Sequence, residues 1–197
     1  MATPGRPSLA PEIDAFRYQF EQLSADADAL TAPLSDEQFM WRPTPDGWSI
    51  AECLDHLNAT ARVYLPSLDE GISEAIRRGV YGEGPFKYNW LGRLSVKFSD
   101  TGVRLKAPDD VKPAEGRTRR EILAAFHAYQ VQFIDRLRQA NGVDLARARV
   151  RMPTNSWLRI PLGSGFALMI AHAKRHLLQA KRVMEAEDFP APLRPSP

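Results

Sequence analysis

The sequence predicts an all-α fold, a four-helix bundle running up-down-down-up with a long crossover between helices 2 and 3. Four stretches carry apolar residues spaced three and four apart, the period of one buried helical stripe. Three Ser/Thr-x-x-Glu/Gln capping boxes mark helix starts at Ser35, Ser49 and Thr118. Between the second and third long stripes, Gly79 to Gly116 spans 38 residues punctuated by glycine and proline. A parallel neighbour requires the chain to travel back along a helix, about 30–40 Å at about 1.5 Å per residue. A loop of that length therefore argues that helices 2 and 3 run the same way.

Residues 1–10 contain Pro and Gly and read as a loose arm. Pro11 suits a first helical turn, and Ile13, Phe16, Phe20, Leu23, Ala27 and Leu30 form the first stripe, ended by Pro33. Ser35–Gln38 starts a short helical turn, and the prolines and glycine of Trp41–Gly47 forbid further helix. The second long helix starts at Ser49, with Ile50, Leu54, Leu57, Ala61, Tyr64, Leu68 and Ile72 inward. Pro66 lies inside it, removes one backbone hydrogen bond and should kink it. The crossover carries Phe86, Tyr88, Trp90, Leu91, Leu94, Val96 and Phe98, apolar enough to cover the side or mouth of a bundle, with room for a short helix near Tyr88–Ser95. Thr118–Glu121 opens the third helix, whose stripe is Ile122, Phe126, Tyr129, Phe133 and Leu137 and whose stop is Asn141-Gly142. Residues 143–161 show no helical period; Val150–Met152 and Trp157–Ile160 alternate weakly, as short strands or extended loop. Leu162 to Val183 is the fourth helix, and the tail from residue 188 reads as disordered or draped. The whole chain, 1–197, reads as one domain with loose ends at 1–10 and 188–197.

The fourth helix carries the chemistry. Leu162, Phe166, Met169, Ala173, Ala180 and Val183 form its stripe, and His172 and His176 fall on or beside it. Two imidazoles four residues apart project side by side, with Cβ atoms about 5–6 Å apart, a spacing that suits two ligands of one metal ion. Inward-facing rings need partners, because burying an unsatisfied polar group costs free energy. His56 lies early in the second helix, on the flank of Cys53, Leu57 and Thr60. If both helices face one interior, the three rings can converge at one level. Three imidazoles leave a coordination position open, as catalytic sites do, and suit Zn, Ni, Cu or Fe rather than Mg or Ca.

With 44% hydrophobic and 25% charged residues the composition is that of an ordinary globular domain, and a net charge of +2 gives no reason to expect nucleic-acid binding. Arginines cluster at 117, 119 and 120 and at 147, 149 and 151 without interleaved aromatics, so a solvated surface is the better reading. The single cysteine, Cys53, excludes an internal disulfide and fits a reducing cytoplasm. No signal peptide opens the chain, and no apolar run approaches the ~18 residues of a membrane span.

The segment LSDEQFMWRPTPDGWSIAECLDHL, Leu34 to Leu57, resembles the opening signature of the DinB/YfiT-like superfamily, in which a Leu-Ser-x-Glu-x-x-x-x-Arg-Pro run and a Trp-Ser stretch precede the first histidine. HAKRHLLQA, His172 to Ala180, is similar to its second signature. The resemblance covers nearly the whole chain, strongest over 34–57 and 166–183 and weakest over 79–161. It implies an up-down-down-up bundle, a three-histidine divalent metal site at His56, His172 and His176, and frequent dimers, a homodimer being the form expected for this chain; of the divalent transition metals, Zn or Ni is the expected ion. It also implies either metal-assisted hydrolysis or S-transfer with a low-molecular-weight thiol such as bacillithiol or mycothiol; many members have no assigned reaction. His127 matches no motif position and reads as structural.

Other residues admit two readings. HAKRH lacks the glutamate of His-Glu-x-x-His peptidases. Glu52 and Asp55 are candidate bases or partners of His56, though a capping or structural role suits both better. Gln179 either lines the pocket or is solvated, and Trp41 and Trp48 read as core anchors rather than substrate stackers. Cys53 is a fourth ligand, a redox-sensitive neighbour or, more simply, a small buried hydrophobe. The alternative to an enzyme is a non-catalytic bundle that binds a small hydrophobic ligand or a partner protein.

Overall fold

Pro11 opens α1 (Pro11–Thr31) at a position where its missing N–H costs nothing, and Ile13, Phe16, Phe20, Leu23 and Ala27 are buried along it. The computed structural model describes residues 8–86 and 111–191. Each expected capping box forms in full. Ser35 caps α2 (Asp36–Met40) and Ser49 caps α3 (Ile50–Arg77), each hydroxyl accepting from the N3 backbone at 3.1 Å. Thr118 does the same for α4 (Arg119–Gln139), with Glu121 accepting from the Thr118 backbone at 2.8 Å. Such a cap stabilises a helix by about 1 kcal/mol. The long α3 continues through Pro66 to Arg77.

The strict all-α expectation needs one correction. Residues 143–161, which lack a helical period, fold as an antiparallel hairpin of β1 (Arg149–Met152) and β2 (Asn155–Pro161). Val150, Met152 and Ile160 point into the core, which is the alternation a half-buried sheet requires. Pro161 is both the last residue of β2 and the cap of α5 (Leu162–Met184). The described residues thus hold five helices and one two-stranded sheet.

All stripe residues expected on α3 and α5 are buried, and Phe20 stacks on Phe133 at 4.8 Å between ring centres, joining α1 to α4. Polar contacts tie specific ends together. Near the start of α3, Asn58 donates to the Ile122 carbonyl near the start of α4; near their other ends, Arg136 pairs with Asp69 at 2.9 Å. Beyond both helices the Gly82 N–H donates to Gly142 and the Asp144 N–H to Val80. Phe16 faces Phe166, an early residue of α1 against an early residue of α5. The arm is tied down at its last residues, where the Ala10 N–H donates to Asn141 at 2.9 Å. The tail is draped as far as Phe189, which sets its ring edge-on to Trp41 at 5.5 Å, and Pro190, whose carbonyl accepts from Gln38. Phe86 packs on the core, whereas the rest of the crossover's aromatic run and the short helix expected near Tyr88–Ser95 lie outside the described residues.

The expected solvated arginine cluster at 117–120 is also corrected. Arg117 pairs with the buried Asp55, and Arg119 donates to the carbonyls of Thr31 and Leu34 at 2.6 Å while lying over the Phe39 ring. Both cations are structural.

The hairpin sits tightly on α3. A Cβ built on Gly71 would meet the Arg149 carbonyl oxygen at 2.8 Å, and backbone cannot swing aside as a flexible side chain does. Gly71→Ala should therefore cost about 1–3 kcal/mol of unfolding free energy through forced backbone displacement. Urea titration beside Glu70→Ala, a control at an exposed position of the same helix, tests this: equal midpoints in the two variants would mean the hairpin is free to move.

Candidate metal centre

The capped start of α3 places His56 in the second turn of the helix, facing α5. On α5 the i, i+4 spacing stacks His172 and His176 on the same side. The three rings meet: centroids are 5.1 Å apart for His56–His172, 4.5 Å for His56–His176 and 4.6 Å for His172–His176. One nitrogen from each lies within 4.8 Å of the other two. His56 and His176 are buried and His172 is half-buried.

The tautomer of His56 follows from its partner. Its Nδ1 lies 2.6 Å from the Val111 carbonyl, which only accepts, so the ring proton sits on Nδ1. That leaves the Nε2 lone pair aimed at the cluster, 3.1 Å from His172 Nε2. Two nitrogens each about 2.0–2.1 Å from a tetrahedral ion stand about 3.3 Å apart, so this spacing fits shared ligation. Nδ1 of His176 is buried with no hydrogen-bond partner. Three imidazoles brought together, one of them with a buried nitrogen left unpaired, make a donor set that a divalent transition-metal cation would suit.

The same surroundings keep the rings neutral. Burial lowers the pKa of all three, for His56 against the opposing pull of the Val111 hydrogen bond. His172 is driven well below its ordinary value by burial and by the other two histidines. For His176, burial, His56 and Arg175 together bring it to about 3, with Gln179 pulling weakly the other way. Neutral imidazole is the form that ligates a metal.

Around the cluster, the structure sorts the remaining candidates. Trp48 does more than anchor the 40s loop: its ring lies 4.9 Å from His56 and 5.8 Å from His176, forming a wall of the site. Position explains this, since a residue two before a helix folds back over its first turns. Glu52 is committed to the Ser49 cap and to Arg42. Asp55, 4% exposed, accepts from Arg117 at 2.6 Å and from the Ala114 N–H at 2.7 Å. Those two bonds fix the segment that presents the Val111 carbonyl to His56. Asp55 thus positions the His56 ring through a loop, a role without a signal in the sequence because Val111 lies 55 residues away. Cys53 is outside the cluster; burial pushes its thiol up to about 12, so it remains a protonated apolar filler. His127 pairs with Asp28 at 2.9 Å between α4 and α1, away from the site.

Fold and site together define a helical-bundle protein with a buried three-histidine cluster suited to a divalent metal. The chain belongs to the DinB superfamily, whose profile matches residues 19–180. It is similar in structure to YfiT from Bacillus subtilis, described as a probable metal-dependent hydrolase with an unusual four-helix bundle topology. That likeness has a TM-score of 0.59 over 93% of this chain and 92% of the other, at 15% identity, and shows the fold. No match was found among curated protein sequences.

Two outcomes follow from the geometry. Above pH 6.5 the histidines are neutral folded or unfolded; below it the unfolded chain takes up protons that the folded chain refuses, until His176 titrates at about 3. Metal-free protein should therefore lose stability as pH falls through that window, and His176→Ala should flatten the slope by about 1.4 kcal/mol per pH unit. Chelator-treated protein unfolded by urea at several pH values measures this; identical slopes would show that His176 protonates normally in the fold. Second, Asp55→Asn should weaken metal affinity about 10–100-fold by loosening the Val111 carbonyl. Competition against a chromophoric chelator reads it, and wild-type affinity would remove Asp55 from the support of the site.

Proposed function

We propose that the chain is a metal-dependent hydrolase of a small molecule, with His56, His172 and His176 holding one divalent transition metal, Zn or Ni. The observation that carries this is the convergence of three imidazoles, two buried and one half-buried, with one nitrogen of each within 4.8 Å of the other two. What a bound ion supplies there is Lewis acidity, enough to lower the pKa of a water or thiol toward neutrality and to polarise a carbonyl. The chain's own groups do the rest. The Val111 carbonyl holds the His56 proton on Nδ1, and Trp48 closes one side against solvent. Glu52 and Asp55 are both engaged elsewhere, so proton transfer would rest on the substrate, on solvent or on a group outside these two.

Thiol S-transfer remains inside this reading. Cys53 is protonated and buried, so any sulfur nucleophile would arrive as a separate low-molecular-weight thiol. An all-imidazole donor set suits Zn or Ni, as it does Cu or Fe, and disfavours Mg or Ca. We also infer the up-down-down-up order, supported by the start-to-start and end-to-end contacts of α3 with α4 and by Phe16 facing Phe166. A single functional unit, cytoplasmic location and homodimerisation complete the proposal, the last two on the family resemblance and the lone cysteine. Among the described residues no helix is long and apolar enough to cross a membrane.

One observation favours the rival, a ligand-binding bundle without catalysis. A groove of about 520 Å³ lies between the late turns of α1 and α5, lined by Leu30, Leu177, Leu178 and Met184 with Lys174 and Lys181. It is large enough for a small amphiphile. Elemental analysis of untagged protein beside His56→Ala and His172→Ala separates the readings. About one metal per chain, lost in both variants with helical circular dichroism intact, is expected. Metal content unchanged in either variant would displace the site, and ligand uptake indifferent to chelator would favour the groove.

A further inference from the structure

The hairpin register assembles a face that no stretch of sequence displays. Arg151 pairs directly across from Arg159, and Arg149 stands two residues before Arg151 on the same outward side. Trp157, two before Arg159 in the stretch where the ladder register shifts, is 95% exposed. Like charges directly opposed across two strands repel. Neither Arg149 nor Arg151 has an ion-pair partner among the described residues. The end of α3 adds Arg77 and Arg78, both strongly exposed, with the exposed Ile76 beside them. Glu74 answers part of this charge; it bonds Arg77 at 2.6 Å and feels Arg78 and Arg159 as well. Five guanidiniums against that carboxylate gather on one side of a chain whose net charge is only +2.

We propose that this face docks on an anionic phospholipid surface, with Trp157 seated at the headgroup level and Arg149, Arg151 and Arg159 on lipid phosphates. Each part of the chemistry is met. Indole prefers the boundary between headgroup and hydrocarbon. Arginine carries phosphate-matching donors on a stem that reaches along apolar surface. A second copy is disfavoured, because a two-fold contact would set arginines against arginines. A single-stranded nucleic acid fits less well: such proteins track the backbone in a groove lined by several aromatic platforms, and this face is a ribbon with one. The inference is independent of the metal site.

The test uses full-length protein with vesicles of phosphatidylserine and phosphatidylcholine, and with phosphatidylcholine alone. Sedimentation should show binding to the anionic vesicles that weakens as salt rises. Arg151→Gln with Arg159→Gln should lower partitioning about thirtyfold, the loss expected from two arginines near an anionic surface. Trp157→Phe should abolish the blue shift in tryptophan emission on binding while circular dichroism stays unchanged. Absence of binding at low salt, or binding unchanged in the double glutamine variant, would overturn the proposal. So would tighter binding of a single-stranded oligonucleotide through the same arginines, or concentration-dependent self-association lost in Trp157→Phe.

Discussion

Three polar rings inside an apolar seam set the terms for this half of the molecule. Each imidazole has two nitrogens, and a buried one left unpaired costs about 1–3 kcal/mol. His56 resolves one of its nitrogens on the Val111 carbonyl and turns the other toward His172. His176 leaves Nδ1 with no partner. A bundle that wanted stability alone would fill this level with leucine, as α5 does one residue later with Leu177. Retaining three histidines at a cost in stability is the mark of a site, since perturbed and unsatisfied groups concentrate where function needs them.

The cost is contained by a second, more remote interaction. Asp55 carries a charge in a position almost closed to solvent, and burying a carboxylate is tolerable only when it is fully paired. Arg117 and the Ala114 N–H do this, and Thr118, next in the chain, begins α4 through its capping box. Residues 111–117 are therefore pinned at one end by a helix start and at Ala114 and Arg117 by the residue beside His56. Asn58 adds a bond from the next turn of α3 to the first turn of α4. A polar patch that looks like loop anchoring thus sets the orientation of a ring in the site.

What could be read directly from the residues follows interaction range. Helix starts depend on contacts three residues apart, so Ser35, Ser49 and Thr118 announced themselves. The stripes of α3 and α5 depend only on period, and every residue expected inside is inside. The pairing of His172 with His176 is equally local. The hairpin was harder, because four and seven residues give too little alternation to separate strand from loop. Trp48 as a site wall, Asp55 as an anchor and Val111 as a hydrogen-bond acceptor depend on segments brought together from far along the chain. No periodicity encodes those. The arginines misled for the same reason: 117 and 119 are solvated only until the buried acid and the carbonyls that receive them are placed.

Helix α3 divides the two activities inferred for the chain. His56 lies near its start, and Gly71, where the hairpin backbone closes on it, lies 15 residues on. At about 1.5 Å per residue that is about 22 Å, far beyond direct contact. Mechanical coupling has a narrower route. Gly165 sets the first turn of α5 against Val150, and the same helix carries His172 two turns later. A force on the hairpin reaches the site along α5, a helix packed on its buried face. Such an element moves as a body or not at all, so docking at one end and chemistry at the other can be altered separately by substitution.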